Sequence, residues 1–265
     1  MTSAPTTRRA VELRPRAEAR GGGSTDRLHP IDEGIWTLDG DPVRFATFPF
    51  ELRSTIVRLA DGSLFVHSPV QLAVASDAVE ALGTVSCIAS PNLLHHLFLG
   101  GWAARHPQAR LYAPPGLRRK RPDLAFAAEL GDEPEPPWRG VLDQRVVRGS
   151  VYMEEVVFFH RASRTVIFGD LIENHDPLKL RPVHRALARA NAMLAPHGTT
   201  PRDYRLSFWR RARTRRAVAD GLAWQPQRVV VAHGPCVETD AMRFLADAFA
   251  WLHGTLASPA ARPSV

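Results

Sequence analysis

Cysteine is almost missing from this chain: only Cys87 and Cys236 occur in 265 residues, too few for a disulfide framework. Both sit in apolar, strand-like contexts, so the expectation is two buried thiols in a reducing cytoplasm. Ligation of a metal by Cys236, three residues after His233, is the alternative for that thiol. Lysine is as scarce, present only at Lys120 and Lys179, so arginine carries nearly all the positive charge behind the net +7. A basic surface favours anionic ligands, nucleic acid or acidic membranes, but it does not set a fold. No apolar run approaches the roughly 20 residues that a membrane-spanning helix needs. The first residues lack the apolar core of a secretory signal, so a cytoplasmic location is expected. There is no internal repeat, no Walker A loop, no GxGxxG fingerprint and no GxSxG elbow, which removes the commonest nucleotide-binding and serine-nucleophile readings.

What is present is ordinary globular composition, 45% hydrophobic and 23% charged, in a chain long enough to bury a substantial core. Residues 1–28 are rich in Pro, Gly, Ser, Thr and charge, with a Gly21-Gly22-Gly23 run, and read as a disordered basic tail. Residues 29–255 form the expected single domain, and 256–265 a flexible C-terminal tail. Within the domain, GIWTLDG and STIVRLADGSLFVHSPV read as short strands, with Asp61-Gly62 as a hairpin turn. Residues 71–82 have helical apolar spacing, VSCIAS is a buried strand, and 97–106 a helix. ARLYAPP is a strand stopped by Pro114-Pro115. The Pro-rich stretch from Arg118 to Trp138 reads as a surface excursion. EEVVFFHRASRTVIFGD then reads as two strands around a turn at Arg161–Arg164. Helices are expected over 181–194 and 204–222, a last buried strand at RVVVAHG, and a closing helix over 240–252 with Thr239 or Asp240 at its N-cap. Strands followed by alternating helices and strands indicate a layered α/β domain.

Three apolar strands end abruptly in chemistry: CIASPNLLHH, RTVIFGD and RVVVAHG. Strand ends of one sheet converge in space, so His95, His96, Asp170 and His233 are candidate metal ligands. A carboxylate at a buried strand end must be paired, hydrogen-bonded or metal-bound. Asp170 as a loop cap and His233 as a satisfied core histidine are the alternatives. Pairing His160 with Thr165 across the second hairpin sets Glu155 opposite Asp170 and leaves His160 at the far end, roughly 17 Å along the strands. His160 is therefore read as structural. Asp170 or Glu155 is the candidate to orient a water or accept its proton, with Asn92 beside the ligands. Glu173 and Asp176 read as loop-forming, and His175 as a solvated loop histidine or a proton shuttle.

The order of these motifs resembles the metallo-β-lactamase superfamily, and PNLLHHLFLGGWAARHPQARLYAPPGL, EEVVFFHRASRTVIFGDLIEN and RVVVAHG resemble one of its divergent families, domain of unknown function 4336. With DEGIWTLDG and FVHSPV, the likeness spans nearly all of residues 31–252. It implies a metallo-β-lactamase-like αββα sandwich, divergent or truncated. In that superfamily the first metal motif has the form His-x-His-x-Asp-His. Aligning its last two positions with His95-His96 leaves Pro91 and Leu93 where two histidines would stand. The next family histidine falls at Ser150 or Val151 and is missing too. Asp170 matches the bridging aspartate and His233 the final histidine. The resemblance thus implies at most one ion, zinc or iron, held by His95, His96, Asp170 and His233. If all four ligate, no position stays open for a water unless coordination expands, which favours a structural or slow centre.

The functional expectation is a metal-dependent hydrolase of esters, thioesters or phosphodiesters acting on a small molecule. A catalytically inactive binding or regulatory module on the same fold is the second reading, since the missing ligands point that way. Arginine-mediated nucleic-acid binding is the third, resting on RRKR at 118–121 and on Arg205, Arg210, Arg211, Arg213, Arg215 and Arg216 interleaved with Tyr204, Phe208 and Trp209. Trp102, Trp138, Trp209, Trp224 and Trp251 are read as packing or surface-edge residues.

Overall fold

The computed structural model describes residues 27–253. The two expected tails, 1–28 and 256–265, lie outside the described residues except for Arg27 and Leu28. Among the described residues eleven strands make two sheets. The larger sheet runs, in chain order, β1 (Leu28–Asp32), β2 (Ile35–Phe45), β3 (Phe48–Arg58), β4 (Leu64–His67), β5 (Val85–Ala89), β6 (Arg110–Ala113) and β7 (Phe126–Glu129). Pairing is antiparallel up to β4 and parallel from β4 to β7. The change comes where tight turns give way to crossovers through α1 (Leu72–Leu82), α2 (Leu99–Arg105) and α3 (Leu117–Lys120). The smaller sheet holds β8 (Leu142–Val147), β9 (Glu155–His160), β10 (Thr165–Phe168) and β11 (Arg228–Val231), in the order β11-β10-β9-β8. Between β10 and β11 lie α4 (Pro182–Ala190), α5 (Arg202–Arg205) and α6 (Arg211–Ala223), and α7 (Ala241–Ala248) follows β11.

The period-two alternation of each strand sorts its side chains into three apolar layers. Val57, Phe65, Cys87, Tyr112, Val156, Phe158, Ile167 and Val230 face inward and fill the space between the sheets. Their neighbours Ile56, Val66 and Ile88 face outward and pack on Val79, Trp102 and Leu117 of α1 to α3. On the other side Val157, Phe159, Val166, Phe168 and Val231 pack on Ala217 and Val218 of α6 and Leu245 of α7. Helices thus cover both outer faces of a two-sheet sandwich, the αββα arrangement.

Several local expectations need correction. Instead of short strands, β2 and β3 are each 11 residues long and join at Ala46-Thr47, so this hairpin projects beyond the sheet. The stretch 118–138 is not a surface excursion. It supplies β7, and Trp138 is fully buried between the sheets, its indole N–H donating to Gln144 Oε1 at 2.9 Å. Asp240 does sit at the N-cap of α7, but in a left-handed conformation (φ 54°) and without a side-chain cap bond.

Candidate metal centre

The parallel pairing of β10 with β11 sets Phe168 beside Val231, so Asp170 and His233 leave the smaller sheet at the same end, each two residues further on. The loop after β5 in the larger sheet brings His95 to the same place. There His95 Nε2 lies 3.1 Å from Asp170 Oδ2, and His233 Nε2 lies 3.0 Å from Asp170 Oδ1. One ligand atom from each of the three residues lies within 4.8 Å of the others. Burial is nearly complete, with side-chain exposures of 4 to 8%.

The other ring nitrogens are already committed. Nδ1 of His233 lies 2.6 Å from the Glu51 carbonyl oxygen, and Nδ1 of His95 lies 2.5 Å from Ser68 Oγ. A carbonyl oxygen can only accept, so His233 carries its proton on Nδ1. Neutral His233 therefore aims the lone pair of Nε2 straight at a carboxylate oxygen. Two acceptors facing each other in a buried site require a cation between them, either a proton or a metal. Burial alone would lower the His233 pKa, but the hydrogen bond and charge of Asp170 raise it to about 9. Burial alone would raise Asp170, yet His95 and His233 hold it well below the usual carboxylate range. The donor set and its orientation thus fit a divalent ion.

Behind Asp170 stands a fully hydrogen-bonded support. Asn92 gives both amide protons away, to Asp170 Oδ2 at 2.7 Å and to Glu155 Oε2 at 2.8 Å. Its Oδ1 accepts from the backbone N–H of Leu94 at 2.9 Å and of His95 at 3.3 Å, shaping the turn that presents the His95 ring. Glu155 accepts from the N–H groups of Gly169, Asp170 and Leu171 at 2.7 to 3.0 Å. Burial pushes its pKa up to about 7, with the charge of Asp170 adding to the shift and the Asn92 bond opposing it. The proton-accepting role expected for Glu155 meets a physical obstacle: its oxygens face backbone donors, not open space. It positions Asp170.

The structure does not bring His96 to the group. Its Nδ1 lies 3.2 Å from an Arg121 nitrogen, and Arg121 also donates to the His96 carbonyl. Burial, with Lys120 and Arg121 close by, drops the His96 pKa to about 4. Adjacent residues diverge here because the turn held by Asn92 points only His95 inward. Cys236 is also elsewhere, its Sγ 3.4 Å from Arg53. His160 bonds Ser163 at the opposite end of the hairpin, in the register expected from sequence. His175 is no solvated loop residue: it is 1% exposed and its Nε2 meets Glu173 Oε2 at 2.8 Å.

The three residues open onto a cavity of about 750 Å³. Its walls are the β2–β3 hairpin tip (Phe45, Phe48, Phe50), the segment Val151–Met153, and Tyr204, Leu206 and Trp209. Sequence reasoning missed this wall. The one available sign was the aromatic run in RFATFPFEL, too dense for a plain turn. Part of the arginine-rich stretches is tied inward, while Arg118, Arg119, Arg210, Arg211, Arg213 and Arg216 are exposed. Arg205 donates to the Thr200 carbonyl and Arg215 to the Leu252 carbonyl, Lys120 donates to the Leu93 carbonyl, and Tyr204 and Phe208 are buried in the core.

A family model described as "Domain of unknown function (DUF4336)" matches residues 32–212. No curated protein matches the sequence. Among solved structures, the chain is similar to a metallo-β-lactamase from Hirschia baltica, with TM-score 0.59 and 13% identity over 85% of this chain and 96% of that one. It is similar to the metallo-β-lactamase FIM-1 from Pseudomonas aeruginosa in its mono-zinc form, with TM-score 0.57 and 13% identity over 83% and 93% of the two chains. A metallo-β-lactamase from Pontibacter korlensis gives TM-score 0.58 and 9% identity over 86% and 98%. At such identities the likeness is one of fold, and the fold is metallo-β-lactamase-like. No helix among the described residues is long and apolar enough to cross a membrane.

Proposed function

The chain belongs to the DUF4336 family, and from that membership and the group at the sheet ends we propose a metal-dependent hydrolase with one ion held by His95, Asp170 and His233. The observation that carries this reading is the convergence of His95 Nε2 and His233 Nε2 on the Asp170 carboxylate, one ligand atom from each within 4.8 Å of the others, an arrangement a divalent cation satisfies. Imidazole and carboxylate donors suit zinc or iron. With His96 turned to Arg121, three protein ligands remain, the number typical of catalytic centres that keep a position open. When bound, such an ion polarises a substrate carbonyl and lowers the pKa of a coordinated water.

The chain's own residues then have definite tasks. Glu51 and Ser68 fix the ring orientations, while Asn92 and Glu155 hold the Asp170 carboxylate. The aromatic hairpin tip and Tyr204 exclude bulk water from one side of the cavity. Elemental mass spectrometry of the purified chain tests the reading. About one zinc or iron per chain is expected, lost in His95→Ala and His233→Ala and retained in His96→Ala. A chain that takes up neither metal after reconstitution overturns it and leaves a binding module on this fold.

A further inference from the structure

Eight large apolar side chains are exposed among the described residues, and six of them line the cavity at the His95–Asp170–His233 group: Phe45, Val151, Tyr152, Leu187, Leu206 and Trp209. Trp209 is 80% exposed and Leu206 77%. Scattered exposed apolar residues are unremarkable, but their concentration around one opening marks a binding surface. The second observation concerns charge. The chain carries 34 lysines and arginines, yet among the described residues none lines this cavity. Sites for phosphate or carboxylate groups are built from such cations or from helix N-termini. Here the charged lining residues besides the two histidines are Asp170, Glu173 and Asp203. Asp170 is paired with His95 and His233 and Glu173 with His175, while Asp203 accepts only the Tyr204 backbone N–H and is exposed. Charge in the cavity is therefore confined to the His95–Asp170–His233 end, to the Glu173–His175 pair and to Asp203, and no lysine or arginine stands along the Leu206–Trp209 wall to hold an anionic group there.

We propose that this cavity takes a neutral ester or thioester with an alkyl chain, the acyl carbon at the His95–Asp170–His233 end and the chain along the Leu206–Trp209 wall. The assignment rests on the hydrolase reading for its chemistry. In the reaction, water adds to the acyl carbon, the C–O or C–S bond breaks, and the alcohol or thiol leaves with a proton. The cavity's selectivity needs no metal. A volume of about 750 Å³ lies within the range of small-molecule sites and exceeds what a short acyl group fills. Beyond the His95–Asp170–His233 end no lysine or arginine lines the cavity to hold further phosphate groups, so nucleotides are disfavoured despite the basic balance of the whole chain.

The test is displacement of Nile red, a neutral apolar dye, from the full chain by methyl ketones of six to twelve carbons, which cannot be hydrolysed. Affinity is expected to rise about fourfold per added methylene. Trp209→Ala and Leu206→Ala should weaken the twelve-carbon ketone about tenfold or more and the six-carbon ketone little. Leu178→Ala, equally exposed but away from the cavity, should change neither. Dodecyl phosphate and dodecyltrimethylammonium should displace the dye less well than the twelve-carbon ketone. A flat chain-length series, tighter binding of either charged analogue, or an equal effect of Leu178→Ala overturns the proposal. Dye bound only at an interface between two copies, seen as dimerisation in light scattering, also overturns it. Chain-length dependence in a protein that holds no metal keeps the cavity assignment and removes the hydrolysis. Metal-dependent turnover of a phosphodiester without ketone binding does the reverse.

Discussion

His233 and Asp170 leave neighbouring parallel strands two residues past the rung that joins Val231 to Phe168, and their side chains meet with Nε2 3.0 Å from Oδ1. The contact is a product of register. Slipping β11 by one residue against β10 would turn the histidine to the other face of the sheet. A backbone carbonyl from β3, that of Glu51, then decides which ring nitrogen carries the proton.

The support behind Asp170 should be measurable separately from the ligands. Asn92→Ala removes two donors and should lower metal affinity about 10- to 100-fold, as loss of a supporting partner does in comparable centres. Competition with a chelator of known affinity reads this out. Glu155→Gln should cost about 1–3 kcal/mol of folding stability, because an amide NH₂ then faces backbone N–H groups at a buried site. Urea unfolding measures it.

Two glycines next to the ligands should behave differently. A Cβ on Gly234, which has φ +101°, would stand 2.0 Å from the Asn174 carbonyl oxygen, so Gly234→Ala should not accumulate as folded protein. A Cβ on Gly169 would stand 3.0 Å from Asn92 Nδ2 and from Glu155 Oε2. Gly169→Ala should therefore fold, with weakened metal binding. Solubility and chelator competition on the two variants separate these outcomes.

His67 closes β4 in a buried position, and neither of its ring nitrogens has a hydrogen-bond partner. Burial, with His95 nearby, lowers its pKa to about 3. Between pH 6.5 and 3 the unfolded chain binds a proton here that the folded chain does not, so stability falls as pH drops through that window. The contribution amounts to about 2 kcal/mol between pH 8 and pH 5. His67→Phe should remove it: the variant should lose less stability than the wild type over that range in urea titrations. An unchanged difference between pH 8 and pH 5 would count against a neutral buried His67.

Trp138 and Trp209 form a matched pair. Trp138→Ala should cost about 3–5 kcal/mol, since it empties a fully buried site beside Phe65, Tyr112 and Phe158. Trp209→Ala should stay within about 0.5 kcal/mol of wild type, because the ring is mostly in solvent. Both follow from the same denaturation experiment.

Much of this molecule was legible before its structure. The apolar runs before Asp170 and His233 end abruptly, and the Arg161–Arg164 turn fixes its hairpin register, so the strand ends and the distance of His160 from them could be read. His95 and His96 could not be told apart, because what separates them is Ser68 and Arg121, each some 25 residues away along the chain. Glu155 looked like an available base because its three backbone donors carry no sequence signal. From sequence Trp138 reads only as packing or surface-edge, because the prolines around it suggest a surface stretch, whereas the turn Pro136–Trp138 carries it into the core. The cavity wall comes from three distant segments, and no periodicity in any one of them reports the gap between them.

Asn92 belongs to the loop after β5 of the larger sheet, whereas both carboxylates it serves belong to the smaller one. Its amide is thus a rivet through the seam of the sandwich, and the same residue aims the His95 ring. Because His95 and Asn92 share that loop, a tilt of one sheet against the other would draw His95 away from Asp170 and break the Asn92 bonds together. The centre is then placed as a strain gauge for the whole domain: if it holds the proposed ion, retention of that ion reports whether the two halves are seated.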